Sequence, residues 1–111
     1  MSRHDEEYQR NIRVHIIRIA RQLIAGEIGI IAASRELGQC RDLEPQLASI
    51  LLTFKGIDSE TDALPIGEVR KEWSPDALER KDMEIAEAEA SYRDSAVNAA
   101  TELIRLLETP S

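Results

Sequence analysis

A chain of 111 residues, 42% of them apolar and 32% charged, is long enough for one domain and too apolar to be a disordered segment. Aromatic residues make up only 4%, so the core must be aliphatic, which suits packed helices better than a sheet. A net charge of −7 argues against direct nucleic-acid binding, which needs a basic surface to neutralise phosphates.

The charge is uneven. Residues 1–25 carry five arginines against three carboxylates, whereas residues 57–111 carry fourteen carboxylates against six basic side chains. Either a basic first helix lies beside an acidic last one, or an acidic face steers toward a basic protein partner. Cys40 is the only cysteine, so no internal disulfide can form and a reducing compartment fits. Cys40 reads as a small core residue, because only His4 and His15 could activate its thiol. No signal-peptide pattern and no apolar run of membrane-spanning length is present, so the expectation is a cytoplasmic protein with no membrane contact.

The first helix is expected from about Asp5 to Ala25. Asp5, Glu6 and Glu7 lie at the positive end of its dipole, and Ile12, Ile16, Ile19, Ala20, Leu23 and Ile24 form an apolar stripe. Val14 and Ile17 widen that stripe, which predicts burial on more than one side, and Gly26 closes the helix. A short second helix over about Gly29–Leu37 turns Ile30, Ile31, Ala33 and Leu37 inward and ends at Gly38. Gln39–Glu44 is a loop. Pro45 then opens a third helix with Leu47, Ile50, Leu51 and Phe54 inward, running to about Lys55 with Gly56 closing it.

An acidic loop is expected from Gly56 to Trp73, with one or two helical turns in Glu68–Trp73. Ser74-Pro75-Asp76 is a strong helix start: Ser as N-cap, Pro at the first helical position, Asp in the first turn. The last helix then runs from Pro75 to about Leu107. Leu78, Ile85, Tyr92, Ala99 and Leu106 recur every seven positions, with Asp82, Glu89, Ala96 and Leu103 as companions. Asp82 and Glu89 stand where a bundle core would want leucine, so they must pair with arginine or face water. A helix this long outreaches the other three, and Ala86, Ala88, Ala90, Ala96, Ala99 and Ala100 would let another helix, including that of a second copy, come close.

Asp58, Glu60 and Asp62 match the first three ligand positions of an EF-hand, but the turn position is Ala63 and the twelfth is Val69, so the match fails. A looser Mg²⁺ or Mn²⁺ site would draw on Glu60, Asp62, Asp82 and Glu89, and would make the chain a metal-dependent hydrolase. Glu68, Glu72, Glu79 and Asp82 have the spacings of all-α nucleotide pyrophosphatases, with no basic set for a triphosphate. The simpler reading is that the acidic loop is held by turn hydrogen bonds and by Arg70 or Arg80. No cofactor is expected. Arg70 and Trp73 either anchor the loop or serve as interface residues, types enriched in binding hot spots.

The run Gly56-Ile57-Asp58-Ser59-Glu60-Thr61-Asp62-x-Leu64-Pro65-x-Gly67-x-x-Arg70-x-x-Trp73, with Ala25-Gly26-Glu27-Ile28 before it and Asp76-Ala77-Leu78 after it, resembles a small, functionally uncharacterised family of bacterial proteins. The resemblance covers most of the chain and implies a bacterial cytosolic origin. In class and charge alone, the chain is also similar to toxin-immunity proteins, which block basic nucleases electrostatically.

The reading is a single all-α domain over residues 1–111, an irregular four-helix bundle with a structured acidic loop before a long C-terminal helix. Its expected function is non-catalytic protein binding, immunity-like or regulatory, through Asp58, Glu60, Asp62, Arg70 and Trp73, or else those residues scaffold the loop. The alternatives are the metal-dependent hydrolase and a structural homodimer subunit.

Overall fold

The computed structural model describes residues 3–41 and 43–108. Of the positions named above, the side chains of His4 and Asp5 lie outside the described residues. Four helices follow in order: α1 (Arg3–Ala25), α2 (Ile30–Gly38), α3 (Pro45–Thr61) and α4 (Pro75–Glu108), with a 3-10 helix over Gly67–Glu72 between the last two. No strand occurs among the described residues, and the fold is all-α.

The helix ends follow local chemistry. Gly26 adopts φ +77°, its amide donates to the Leu23 carbonyl at 3.1 Å, and the Glu27 amide donates to the Gln22 carbonyl at 2.8 Å. This pair of bonds around a left-handed glycine is the Schellman closure, which satisfies carbonyls that α1 would otherwise leave unpaired. At the start of α4, the Ala77 amide donates to Ser74 Oγ at 3.2 Å, and Pro75 occupies the first helical position as expected.

The third helix departs from expectation. It does not stop at Gly56 but continues through it to Thr61, so Asp58 and Glu60 stand on a helix and the acidic loop shrinks to residues 62–74. Burial explains the extension: Ile57 and Thr61 continue the face begun by Phe54 and are 3% and 2% exposed. Packing of that face outweighs the intrinsic preference of glycine against helix. Gly56 itself is exposed, and a β-carbon there would meet nothing within 4 Å. Gly56→Ala is therefore expected to stabilise the fold by about 0.5–1 kcal/mol, read as a higher urea midpoint at unchanged slope.

At about 1.5 Å per residue, α4 accounts for the long dimension of the molecule, which is 52 Å. It packs against α1, α2 and α3, while α2 touches each of the other three. Ile16 and Leu23 from α1, Ile31 and Leu37 from α2, Leu51 and Phe54 from α3 and Leu103 from α4 form the most deeply buried part of the core. The fully buried positions of α4 are Ala96, Ala99, Ala100 and Leu103, all in its C-terminal half. Those three alanines thus bring α4 close to its own bundle. Against expectation, α1 is buried on one side only: Val14 is 60% exposed and Ile24 43%.

Candidate functional site

The region from α3 to the middle of α4 carries every residue named above as a site candidate, and the structure sorts them into three groups. The first is held by arginines. Arg35, on α2, donates from Nη2 to the Thr61 carbonyl at 2.7 Å and the Leu64 carbonyl at 2.9 Å, and its Nε lies 3.6 Å from Asp58 Oδ1. Helix α3 ends without a left-handed glycine or a basic residue in its last turn, and a guanidinium from the neighbouring helix bonds its last carbonyl, that of Thr61, together with the Leu64 carbonyl beyond it. Asp58 is held by Arg35, not by Arg70 or Arg80.

Arg70 spans the connection instead. Its Nη1 and Nη2 donate to Asp82 Oδ1 and Oδ2 at 2.8 and 3.1 Å, and Nη1 also donates to the Pro65 carbonyl at 3.2 Å. This two-pronged contact fastens the 3-10 helix to α4. The guanidinium holds the Asp82 carboxyl below its ordinary 3.8. A carboxylate with a depressed folded-state value stabilises the fold above its unfolded-state value and loses that contribution as pH falls through the folded one. The gap in melting temperature between wild type and Arg70→Ala should therefore be fully open near neutral pH and narrow below about pH 4. Thermal melts across the acid range check this.

The second group has a single member, Glu89. From the middle of α4 its Oε1 accepts the Ile30 amide at 2.8 Å and its Oε2 the Ile31 amide at 2.7 Å. The carboxylate thus caps the N-terminus of α2, a helix whose own N-cap residue is Gly29 and offers no side chain. A β-carbon on Gly29 would lie 3.0 Å from Glu89 Oε1, so the glycine makes room for the acid. Asp82 and Glu89, the two polar interruptions of the α4 seam, are thereby accounted for by tertiary partners.

The third group faces solvent. Glu60 and Asp62 are exposed and have no ion pair among the described residues. Trp73 is half-buried at the end of the 3-10 helix. The four carboxylates weighed as metal ligands are not gathered into one site: no group of three His, Cys, Asp or Glu side chains among the described residues could hold a metal ion.

Elsewhere, Cys40 is 5% exposed and its Sγ donates to the Glu36 carbonyl at 3.7 Å. Burial pushes the thiol above its ordinary value and the Glu36 carboxylate adds to the rise, both of which favour the protonated thiol of a core residue. His15 accepts from Arg18 at Nδ1, 2.9 Å away, and its Nε2 faces Glu36 at 3.4 Å. An arginine only donates, so the proton of the neutral ring belongs on Nε2.

An open groove runs along the outer seam of α3 and α4. At one end it is lined by Leu52, Gly56 and Ile57 opposite Tyr92 and Ser95. Its central section, about 490 Å³, lies between Glu60, Ala63 and Leu64 on one wall and Lys81, Glu84, Glu87 and Ala88 on the other. It continues along α4 to Arg80 and Met83. Glu84 is paired with Lys81 at 2.9 Å, whereas Glu60 and Glu87 have no ion pair among the described residues. No histidine or cysteine lines the groove, which offers contact surface and the unpaired carboxylates of Glu60 and Glu87.

No family model matches the chain, and neither a curated protein nor a solved structure matches it at significance. No helix among the described residues is long and apolar enough to cross a membrane.

Sequence reasoning missed Arg35, and it expected Glu89 to pair with arginine or face water, whereas Glu89 bonds the Ile30 and Ile31 amides. A signal was present for Glu89 alone: a helix that starts at Gly29 with no Ser, Thr, Asp or Asn to cap it leaves amides that a distant side chain must satisfy, whereas the end of α3 that Arg35 bonds was hidden by placing it at Gly56.

Proposed function

We propose that this protein is a non-catalytic protein-binding module, immunity-like or regulatory, acting in the bacterial cytosol through an acidic surface. The observation that carries this reading is the division of labour among its carboxylates. Asp58, Asp82 and Glu89 hold the fold together, while Glu60 and Glu87 stand unpaired along a groove that also presents Ala63, Leu64, Ala88 and Tyr92. Unpaired charge around apolar surface favours fast, salt-sensitive association with a basic protein.

The test is a pull-down from the source cells with tagged protein, at low and then at high salt. A stoichiometric basic partner that is lost at high salt is the expected result. Recovery of the tagged chain alone would overturn the reading.

A further inference from the structure

We propose that the α3–α4 groove is the docking site for a basic amphipathic helix of a protein partner, about three turns long. This rests on the protein-binding reading above and specifies the shape and charge of what is bound. Leu52 and Met83 are the most exposed large apolar side chains among the described residues, at 63% and 67%, and they mark opposite ends of this one groove. Each end of the groove thus offers one exposed apolar anchor, with charged side chains between the two.

The length follows from α4. From Met83 to Ser95 the helix advances about 18 Å, which matches roughly twelve residues of helix laid alongside it. The occupant is helical for a backbone reason. One wall is α4 and the other is α3 with the turn at Ala63 and Leu64, and neither presents a strand edge, so an extended peptide would leave its own polar groups unsatisfied. A helix satisfies its backbone internally and needs only side-chain contact, and the small Gly56, Ala88, Ser91 and Ser95 let it come close.

The charge follows from the middle of the groove. Glu60 and Glu87 face it from opposite walls without partners, while Lys81 is neutralised by Glu84 and Arg80 lies at the far end beside Met83. The occupant's cations therefore belong in its central turn and its apolar residues toward both ends. A second copy docking groove to groove would set these carboxylates against their own equivalents, which disfavours self-association by this face.

The experiment is an NMR titration of ¹⁵N-labelled protein with a synthetic helical peptide of about fourteen residues, leucines toward its ends and lysines in its central turn. The same residues in scrambled order serve as control. Shifts confined to the groove, seen with the ordered peptide and weakened about tenfold or more in Glu60→Lys/Glu87→Lys, are expected. Equal binding of the scrambled peptide, shifts spread over the whole acidic surface, or unchanged affinity in the double variant would overturn the proposal. So would sedimentation showing a dimer that the double variant abolishes. If the double variant still captures a salt-labile basic partner from cells, the groove is the wrong place but the protein-binding reading stands. If wild type captures none, both fail.

Discussion

Glu89→Ala is expected to destabilise the protein by about 2–3 kcal/mol, a drop in melting temperature of roughly 10 °C. The substitution removes a charged acceptor that satisfies two consecutive amides at the start of α2, at 2.8 and 2.7 Å. Loss of an ordinary N-cap costs about 1 kcal/mol. Here the cap is a half-buried carboxylate that bonds both amides, sits at the positive end of the helix dipole and ties α4 to α2, so the larger figure applies. Glu89→Gln keeps one oxygen acceptor and loses the charge, and should cost about half as much. Glu87→Ala, two residues away on the exposed face, should change stability by less than about 0.5 kcal/mol. Urea unfolding of the three variants side by side measures this, and equal effects at positions 87 and 89 would refute the capping role.

Arg35→Ala should cost about 2 kcal/mol, because it removes the guanidinium bonds to the Thr61 and Leu64 carbonyls, leaving Thr61 only the Leu64 amide, and leaves Asp58 half-buried without its counter-charge. Arg35→Lys separates geometry from charge. An ammonium keeps the attraction to Asp58 but cannot span the Thr61 and Leu64 carbonyls with the planar fork of a guanidinium, so only partial rescue, to a loss of about 1 kcal/mol, is expected. Hydrogen exchange localises the effect: amides of the last turn of α3 and of residues 62–66 should lose protection first in Arg35→Ala, before the α1–α4 core. A uniform loss across the molecule would mean that Arg35 acts through general packing.

Both residues bear on function through what they leave behind. Each arginine–carbonyl or carboxylate–amide contact consumes a group that could otherwise meet a ligand, whereas Glu60 and Glu87, which are not consumed, lie along the α3–α4 groove. Arg35 holds the end of α3 that forms one wall of that groove, so Arg35→Ala should also weaken any groove ligand, whereas Glu89→Ala acts on α2 and should affect it less.

The extent to which the chain is legible differs between its ends. The periodicity of Ile16, Ile19, Ala20 and Leu23, the Gly26 closure and the Ser74-Pro75 start are local features, and α1 and α4 follow from them nearly to the residue. The apolar faces of α2 and α3 were legible for the same reason: Ile30, Ile31, Ala33, Leu37, Leu47, Leu51 and Phe54 are all buried. Gly56 misled, because a glycine penalty of about 1 kcal/mol is smaller than the gain from burying Ile57 and Thr61 one turn further on. Asp58, Arg70, Asp82 and Glu89 were singled out without their roles, because their contacts span 12 to 59 residues, and of the groove residues only Glu60 had been named as a site candidate.

What the sequence determined alone was therefore whatever depends on near neighbours: helical periodicity, caps and turns supplied by adjacent residues, an aliphatic core, and an excess of negative charge in the second half. What only the tertiary structure decided was which carboxylates are structural and which face solvent. A carboxylate at a given helical position has the same local chemistry in either case. Its role is set by whether folding brings a guanidinium or an uncapped helix end to it, as it does for Asp58, Asp82 and Glu89 and does not for Glu60 and Glu87.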